Sequence, residues 1–311
     1  MKQHTIGEEF TLEGKGLHTG MQITLHAMPA DEGKGIVIRR VDLGLEMKAS
    51  AEYVGATERG TVLMKGECKC STIEHFMAAL AAYSIDNCII EVNAPEFPIL
   101  DGSAAPYVEA LERVGVIEQS AERQEFIVKK PMRFEIGGSE ITLEPAEDFS
   151  VEVLIDFNSP VLKTQRAMLN DISLFSNEIS SCRTFVFVRE IEQLVMAGLI
   201  KGGDLKNALV IYDSETSLDN LNKIAGFYGQ KIDSAAALGY LNGPLKFDNE
   251  PARHKLLDLI GDLYLIGMPI RGKVKAIKPG HGVNTAVAKK LLQTIKKPQE
   301  THRSVSLYEM T

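Results

Sequence analysis

Four of the seven histidines in this 311-residue chain, His18, His75, His254 and His281, stand in company that can do chemistry. His254 and Asp258 are four positions apart in RHKLLDLIGDLYLIG, a stretch of helical periodicity. That spacing stacks imidazole and carboxylate one turn apart on one face, as two ligands of a tetrahedral metal require. Alone, the same spacing also describes a surface ion pair. Asp262 carries the face one turn further, and an acidic ridge on an otherwise apolar helix is costly unless a cation meets it. Glu74 and His75 open a second apolar helix, where adjacent side chains point about 100° apart. They can flank one site, His75 on a metal and Glu74 on the water to be activated. Taken singly, His75 also fits a buried, hydrogen-bonded histidine. H-E-x-x-H is absent, and H-x-x-E-H fails because Ser71 stands where its first histidine belongs. His281 lies in KPGHGVN and is expected on a glycine-flanked loop after a strand, where it can protonate a leaving amine while Asp262 holds its tautomer.

Other functions are disfavoured by the same residues. Gly14, Gly16 and Gly20 miss the dinucleotide fingerprint by one position, and Lys201-Gly202-Gly203 is not a P-loop. The formal charge, 34 − 42 = −8, argues against a large phosphate-backbone footprint, and without Trp there is little to stack on bases. No nucleic-acid partner is expected. No apolar run approaches the roughly 20 residues of a membrane span, and MKQHTIGEEF lacks a signal peptide's apolar stretch, so a cytoplasmic location is expected. Cys68, Cys70, Cys88 and Cys182 are then reduced thiols, with Cys68-x-Cys70 in a short hairpin.

An internal echo organises the chain. ITLHAMPAD (23–31) and ITLEPAED (141–148) each precede a second β-like run, and each half continues to a long apolar helix and a further β-run. The pattern predicts an α+β protein of two domains with similar topology, 1–124 and 125–297, joined near the charged stretch 121–126. The segment 181–207 has no visible counterpart in the first half and reads as an insertion; the tail 298–311 is polar.

Several segments together resemble the UDP-3-O-acyl-N-acetylglucosamine deacetylases: GKGLHTG (14–20), STIEHFMAAL (71–80), IDNCIIEVNAPEFPILDGSAAP (85–106), RTFVF (183–187), GLIKGGDLKNALV (198–210), HKLLDLIGDLYLIG (254–267) and KPGHGVN (278–284). They run in family order over nearly the whole chain. The resemblance implies helices of both domains packed between two outer sheets, and Zn2+ held by His75, His254 and Asp258. It implies Glu74 as general base, His281 as general acid oriented by Asp262, and Thr184 and Lys255 as donors to the reacting carbonyl and substrate. His18 corresponds to the hexose and nucleotide end, and Phe185 and Phe187 to the wall against the sugar and acyl chain. The insertion near 185–207, with Val188, Ile191, Leu199, Ile200, Gly202 and Gly203, corresponds to the passage for the acyl chain. A UDP-linked acylated glucosamine is the implied substrate, the committed step of lipid A synthesis the implied role, and a monomer the implied state. Two histidines and a carboxylate also suit iron.

The chain departs from the family in places. Val186 stands where glycine is expected, which would narrow the pocket beside Phe185. No cysteine stands near Arg59-Gly60, so inhibition by a second zinc there is not expected. Some members continue into a hydroxyacyl-carrier-protein dehydratase. A zinc amidase for another acylated amino sugar and a non-catalytic nucleotide-sugar binder are the alternative readings.

Overall fold

The computed structural model describes residues 1–215, 217–226 and 238–296; the expected polar tail 298–311 lies outside them. Two five-stranded sheets form the outer layers. In the N-terminal sheet the spatial order is Phe10–Lys15, Gln22–Pro29, Cys88–Val92, Ile36–Arg40, Leu45–Lys48. In the C-terminal sheet it is Met132–Ile136, Ser139–Glu144, Lys273–Ile277, Ser150–Ile155, Gln165–Leu169. Every neighbouring pair is antiparallel except the third with the fourth, which is parallel in both sheets. The two halves therefore share one topology, and the two ITL segments occupy the same strand in each.

Alternation sets which faces are buried. Ile23, Leu25 and Ala27 point inward while Thr24 and His26 do not, and Val151, Val153 and Ile155 repeat the pattern in the second sheet. Between the sheets lie α1 (Glu74–Ala82), α2 (Ala105–Val114), α6 (Glu250–Tyr264) and α7 (His281–Lys296). Pro106 and Pro251 open α2 and α6 in the first turn, where a missing N–H costs nothing. One continuous core takes in both sheets and these helices, with Phe76 of α1 stacked on Tyr107 of α2 at 4.7 Å between ring centroids. Burying a ring of that size contributes roughly 2–3 kcal/mol.

The helices that matter for the site are α1 and α6. They cross in near backbone contact at Gly261, where a Cβ would lie 2.1 Å from the carbonyl oxygen of Glu74. No side chain larger than hydrogen fits there, and the crossing brings the start of α1 against the C-terminal part of α6. Between Glu122, in a strand paired with Lys2–Ile6, and Phe126, in one paired with Ile270–Arg271, the chain passes from the first half to the second.

The remaining elements correct one expectation. Between its fourth strand and its long helix, each half carries an insert with a three-stranded sheet. In the first half the strands are Val54–Ala56, Val62–Lys65 and Cys68–Cys70; in the second they are Phe185–Phe187, Leu209–Tyr212 and Gly239–Tyr240. The second insert also holds α4 (Val188–Met196) and α5 (Leu218–Gly226), after the short α3 (Phe175–Glu178). The segment thus reaches past residue 207 and does have a counterpart, whose strands of three or four residues left no periodicity to read. No helix among the described residues is long and apolar enough to cross a membrane.

Candidate active site

His75 leaves the first turn of α1, and His254 and Asp258 leave consecutive turns of α6. Their ligand atoms all fall within 4.8 Å of one another, and all three residues are buried. His254 Nε2 is 3.4 Å and His75 Nε2 3.8 Å from Asp258 Oδ1, and the two imidazole rings meet edge to face at 5.0 Å. His254 Nδ1 donates to the carbonyl of Cys182 at 3.0 Å, which leaves Nε2 as an acceptor facing the others. Asp258 Oδ1 is buried and receives no hydrogen bond from the described residues. Burial, and for His75 the neighbouring His254, pushes His75 down to about 3, and burial likewise lowers His254, so both rings are neutral. Burial opposes the charge on Asp258, yet His254, Lys255, His281 and His75 together hold it below the usual carboxylate range. Two neutral imidazoles and a carboxylate converge on a point that no donor among the described residues serves, which is what a divalent cation requires. The residues fit the metal.

Around this cluster the carboxylates and His281 divide. Glu74 is 3% exposed and accepts the Thr61 N–H on Oε2 at 3.1 Å. Burial, with the charges of Asp258 and Asp262 added, raises it to about 7 against the opposing pull of His281. Burial alone would lower His281, but Asp262, Asp258 and Glu74 outweigh it and raise the ring to about 9. His281 Nδ1 donates to Asp262 Oδ2 at 3.0 Å, and Nε2 points between Glu74 Oε1 at 3.9 Å and Asp258 Oδ2 at 3.7 Å. His281 is the first residue of α7 and not part of a loop. The Asn284 N–H already bonds the Gly280 carbonyl at 2.9 Å, so the helix starts at the histidine despite its flanking glycines.

A cavity of about 480 Å³ opens on the cluster; Glu74, His75, Thr184, Phe185, Phe187, His254, Lys255, Asp258 and His281 line it. Lys255 Nζ donates to Asp258 Oδ2 at 2.7 Å and stands 5.6 Å from the centre of the Phe185 ring. The N–H of Thr184 donates to the Gly102 carbonyl at 2.7 Å, seating the RTFVF strand on the DGSAAP loop. Phe157, which no sequence pattern singles out, packs on both Phe185 and Phe187 and completes the aromatic wall.

Other expected residues are placed elsewhere. Val188, Ile191 and Ile200 are buried with Val210, Tyr212 and Leu221 in the second insert's own core, and Leu199 packs on it; none of the four lines the cavity. Helix α4 has one apolar stripe, and the insert's sheet buries it. Val186 faces that core too, the alternate side of a strand whose Phe185 and Phe187 face the cavity, so it does not narrow the pocket. A Cβ on Gly202 would meet the Gly16 carbonyl at 2.2 Å, which makes Gly202 the point where the second insert packs on the GKGLHTG loop; the Gly203 N–H bonds the Ile200 carbonyl. His18 does not line the cavity; its Nε2 donates to the Arg59 carbonyl at 3.3 Å. The buried Glu96, which nothing in the sequence marks, holds that loop by accepting the His18 and Thr19 N–H groups and the Thr19 and Thr72 hydroxyls.

Comparison with known proteins bears on what this geometry serves. The sequence model of the UDP-3-O-acyl N-acetylglycosamine deacetylase family matches residues 3–223 and 218–293. The chain belongs to this family. The UDP-3-O-acyl-N-acetylglucosamine deacetylase of Teredinibacter turnerae is 40% identical over 298 residues, covering 94% of this chain and 91% of that protein. The bifunctional enzyme LpxC/FabZ of Porphyromonas gingivalis is 51% identical over 300 residues, and that of Bacteroides thetaiotaomicron 50% over 301. Each of those matches covers 95% of this chain but only 65% of the bifunctional protein. The two α+β halves with helices between their sheets agree with the fold expected of the family.

Proposed function

We propose that this chain hydrolyses the N-acetyl group of a UDP-3-O-(3-hydroxyacyl)-N-acetylglucosamine, giving the free amine and acetate, with zinc as its metal. The observation that carries the reading is one cavity holding a buried His75–His254–Asp258 triad, with Glu74 and His281 converging on it from two helices. Zinc, when bound, supplies Lewis-acid polarisation of the acetamide carbonyl and acidifies water. Glu74, raised to about 7, takes a proton from the attacking water as its oxygen bonds the carbonyl carbon. Lys255 and the Thr184 hydroxyl, on the cavity wall, donate to the oxygen that gains charge. His281 enters the reaction protonated and gives its Nε2 proton to the departing nitrogen as the C–N bond breaks. Asp262 keeps the proton on Nδ1 and the ring in place. Phe157, Phe185 and Phe187 offer the acyl chain an apolar wall, and the family resemblance assigns His18 to the hexose and nucleotide end. The family reading carries with it a role in lipid A synthesis, a cytoplasmic location and a monomeric state.

The test is acetate release from that substrate by purified protein, with and without a chelator. Release that stops with chelator and returns with zinc is the expected result. No release from folded, zinc-loaded protein would overturn the reading.

A further inference from the structure

Thr61 is fully buried and touches the groups on both sides of the reaction. Its backbone N–H donates to Glu74 Oε2 at 3.1 Å, and its hydroxyl donates to Asp262 Oδ1 at 2.5 Å. The hydroxyl is also 3.3 Å from His281 Nδ1. That nitrogen gives its own proton to Asp262 Oδ2, so the single hydroxyl proton goes to the other carboxylate oxygen. Asn284 adds a third donor to Asp262, on Oδ2 at 3.0 Å. With donors on both oxygens the carboxylate plane is fixed, and with it the direction of the imidazole, whose Nε2 then faces Glu74 and Asp258. Without the hydroxyl, Oδ1 of a wholly buried carboxylate would have no partner among the described residues, and Asp262 would be held through Oδ2 alone.

We propose that Thr61 is a positioning residue that holds the general base and the general acid at a fixed separation, its amide on Glu74 and its hydroxyl on the Asp262–His281 pair. The inference rests on the roles of Glu74 and His281 in the proposed reaction. Thr61 is well suited to the task because it is anchored on its other side as well. It follows Gly60, where a Cβ would come within 3.1 Å of Glu74 Oε1, and leads directly into the strand Val62–Lys65. Base and acid come from opposite halves of the molecule, and Thr61 is bonded to the one and to the aspartate that holds the other.

Thr61→Val keeps the shape and the amide and removes only the hydroxyl. The expected result is a fall in kcat of about 10- to 100-fold, as for a small misplacement of reacting groups, with KM within about twofold and one metal per chain retained. Thr61→Ser should recover most of the loss. A second readout does not use activity: in zinc-loaded protein with labelled histidine, the Nδ1–H resonance of His281, assigned with His281→Gln, should shift or broaden in Thr61→Val. An unchanged kcat together with an unchanged resonance would overturn the proposal. If Thr61→Val fails to fold, equal kcat in folded Thr61→Ser and Thr61→Ala would overturn it, and a Ser-over-Ala advantage of tenfold would support it. Should the wild type release no acetate while the resonance still depends on the hydroxyl, the functional reading falls and the Thr61–Asp262–His281 coupling stands.

Discussion

In the N-terminal half the chain leaves its sheet at Lys48, makes the small sheet 54–70 and returns as α1; in the C-terminal half it leaves at Leu169, makes the larger insert through Tyr240 and returns as α6. The plan is the same, but the chemistry is divided unevenly. The first half gives adjacent residues at one helix start, Glu74, the proposed base, and His75, one of the three residues that could hold the metal. The second spreads His254, Asp258 and Asp262 over three turns of α6 and adds His281 from α7. A repeated topology therefore supplied two scaffolds and not two sites; the site exists where the helices cross. The largest test of this division is removal of each kind of group. His75→Ala and Asp258→Ala should both abolish activity and bring metal content from about one per chain toward zero, because each half supplies ligands the other lacks. Glu74→Ala should keep the metal and lower kcat by a factor on the order of 10² or more. Metal analysis beside kinetics checks both, and loss of metal in Glu74→Ala would contradict its assignment as base.

The crossing itself can be broken. Gly261→Ala puts a methyl carbon 2.1 Å from the Glu74 carbonyl oxygen, so α1 and α6 must move apart. Overpacking of this kind costs about 1–3 kcal/mol, and the same shift separates His75 from His254 and Asp258. Urea denaturation should show the lower midpoint, and the weakened metal binding should appear in a competition with a chelator. A Gly261→Ala protein as stable and as tightly metallated as wild type would mean that the close approach is not what assembles the ligands.

How much of this is legible in the sequence follows the range of the interactions. The i,i+4 spacing of His254, Asp258 and Asp262 is a property of one helix, so the ridge can be read directly. So can the strand alternation that marks out the two halves. Thr61 and the Cys182 carbonyl act through backbone groups or contacts made only after the halves meet, Glu96 through partners 24 to 78 residues away in its own half, and no local pattern marks a threonine whose hydroxyl finds an aspartate 201 residues away. His281 reads as loop because its glycines weigh against helix, whereas the bond from Asn284 to Gly280 decides for it. Val188, Ile191 and Ile200 are visible as apolar residues of one segment, but apolar character does not say whether a side chain faces a ligand or its own sheet.

The second insert has a buried anchor at its root. Glu250, wholly buried at the start of α6, accepts the Arg183 N–H and guanidinium, on Nε at 2.9 Å, and the Lys246 N–H. Burial opposes its charge, but these donors hold the carboxyl below its ordinary value. A depressed carboxyl adds stability above its unfolded value, about 4.3, and loses it as pH falls through the lower folded value. Glu250→Gln should therefore unfold with less dependence on pH on the acid side than the wild type. Glu250→Ala should cost about 3 kcal/mol at neutral pH, since it leaves Arg183 unpaired. Parallel denaturation curves from pH 3 to 7 check both.

The smallest effect expected is where the two inserts touch. Arg59, in the first, pairs with Glu190 of α4, in the second, at 2.7 Å across the rim of the cavity, with the arginine side chain 43% exposed. An ion pair this open to water contributes less than about 1 kcal/mol and weakens with salt. Arg59→Ala and Glu190→Ala should each leave stability nearly unchanged, in contrast to Glu250→Ala. A double-mutant cycle at low and high salt should return a coupling below about 1 kcal/mol that shrinks as salt is added. A larger, salt-insensitive coupling would mean that the inserts are joined across the cavity as firmly as the second one is at its root, and Glu250 would no longer be the stronger of the two ties.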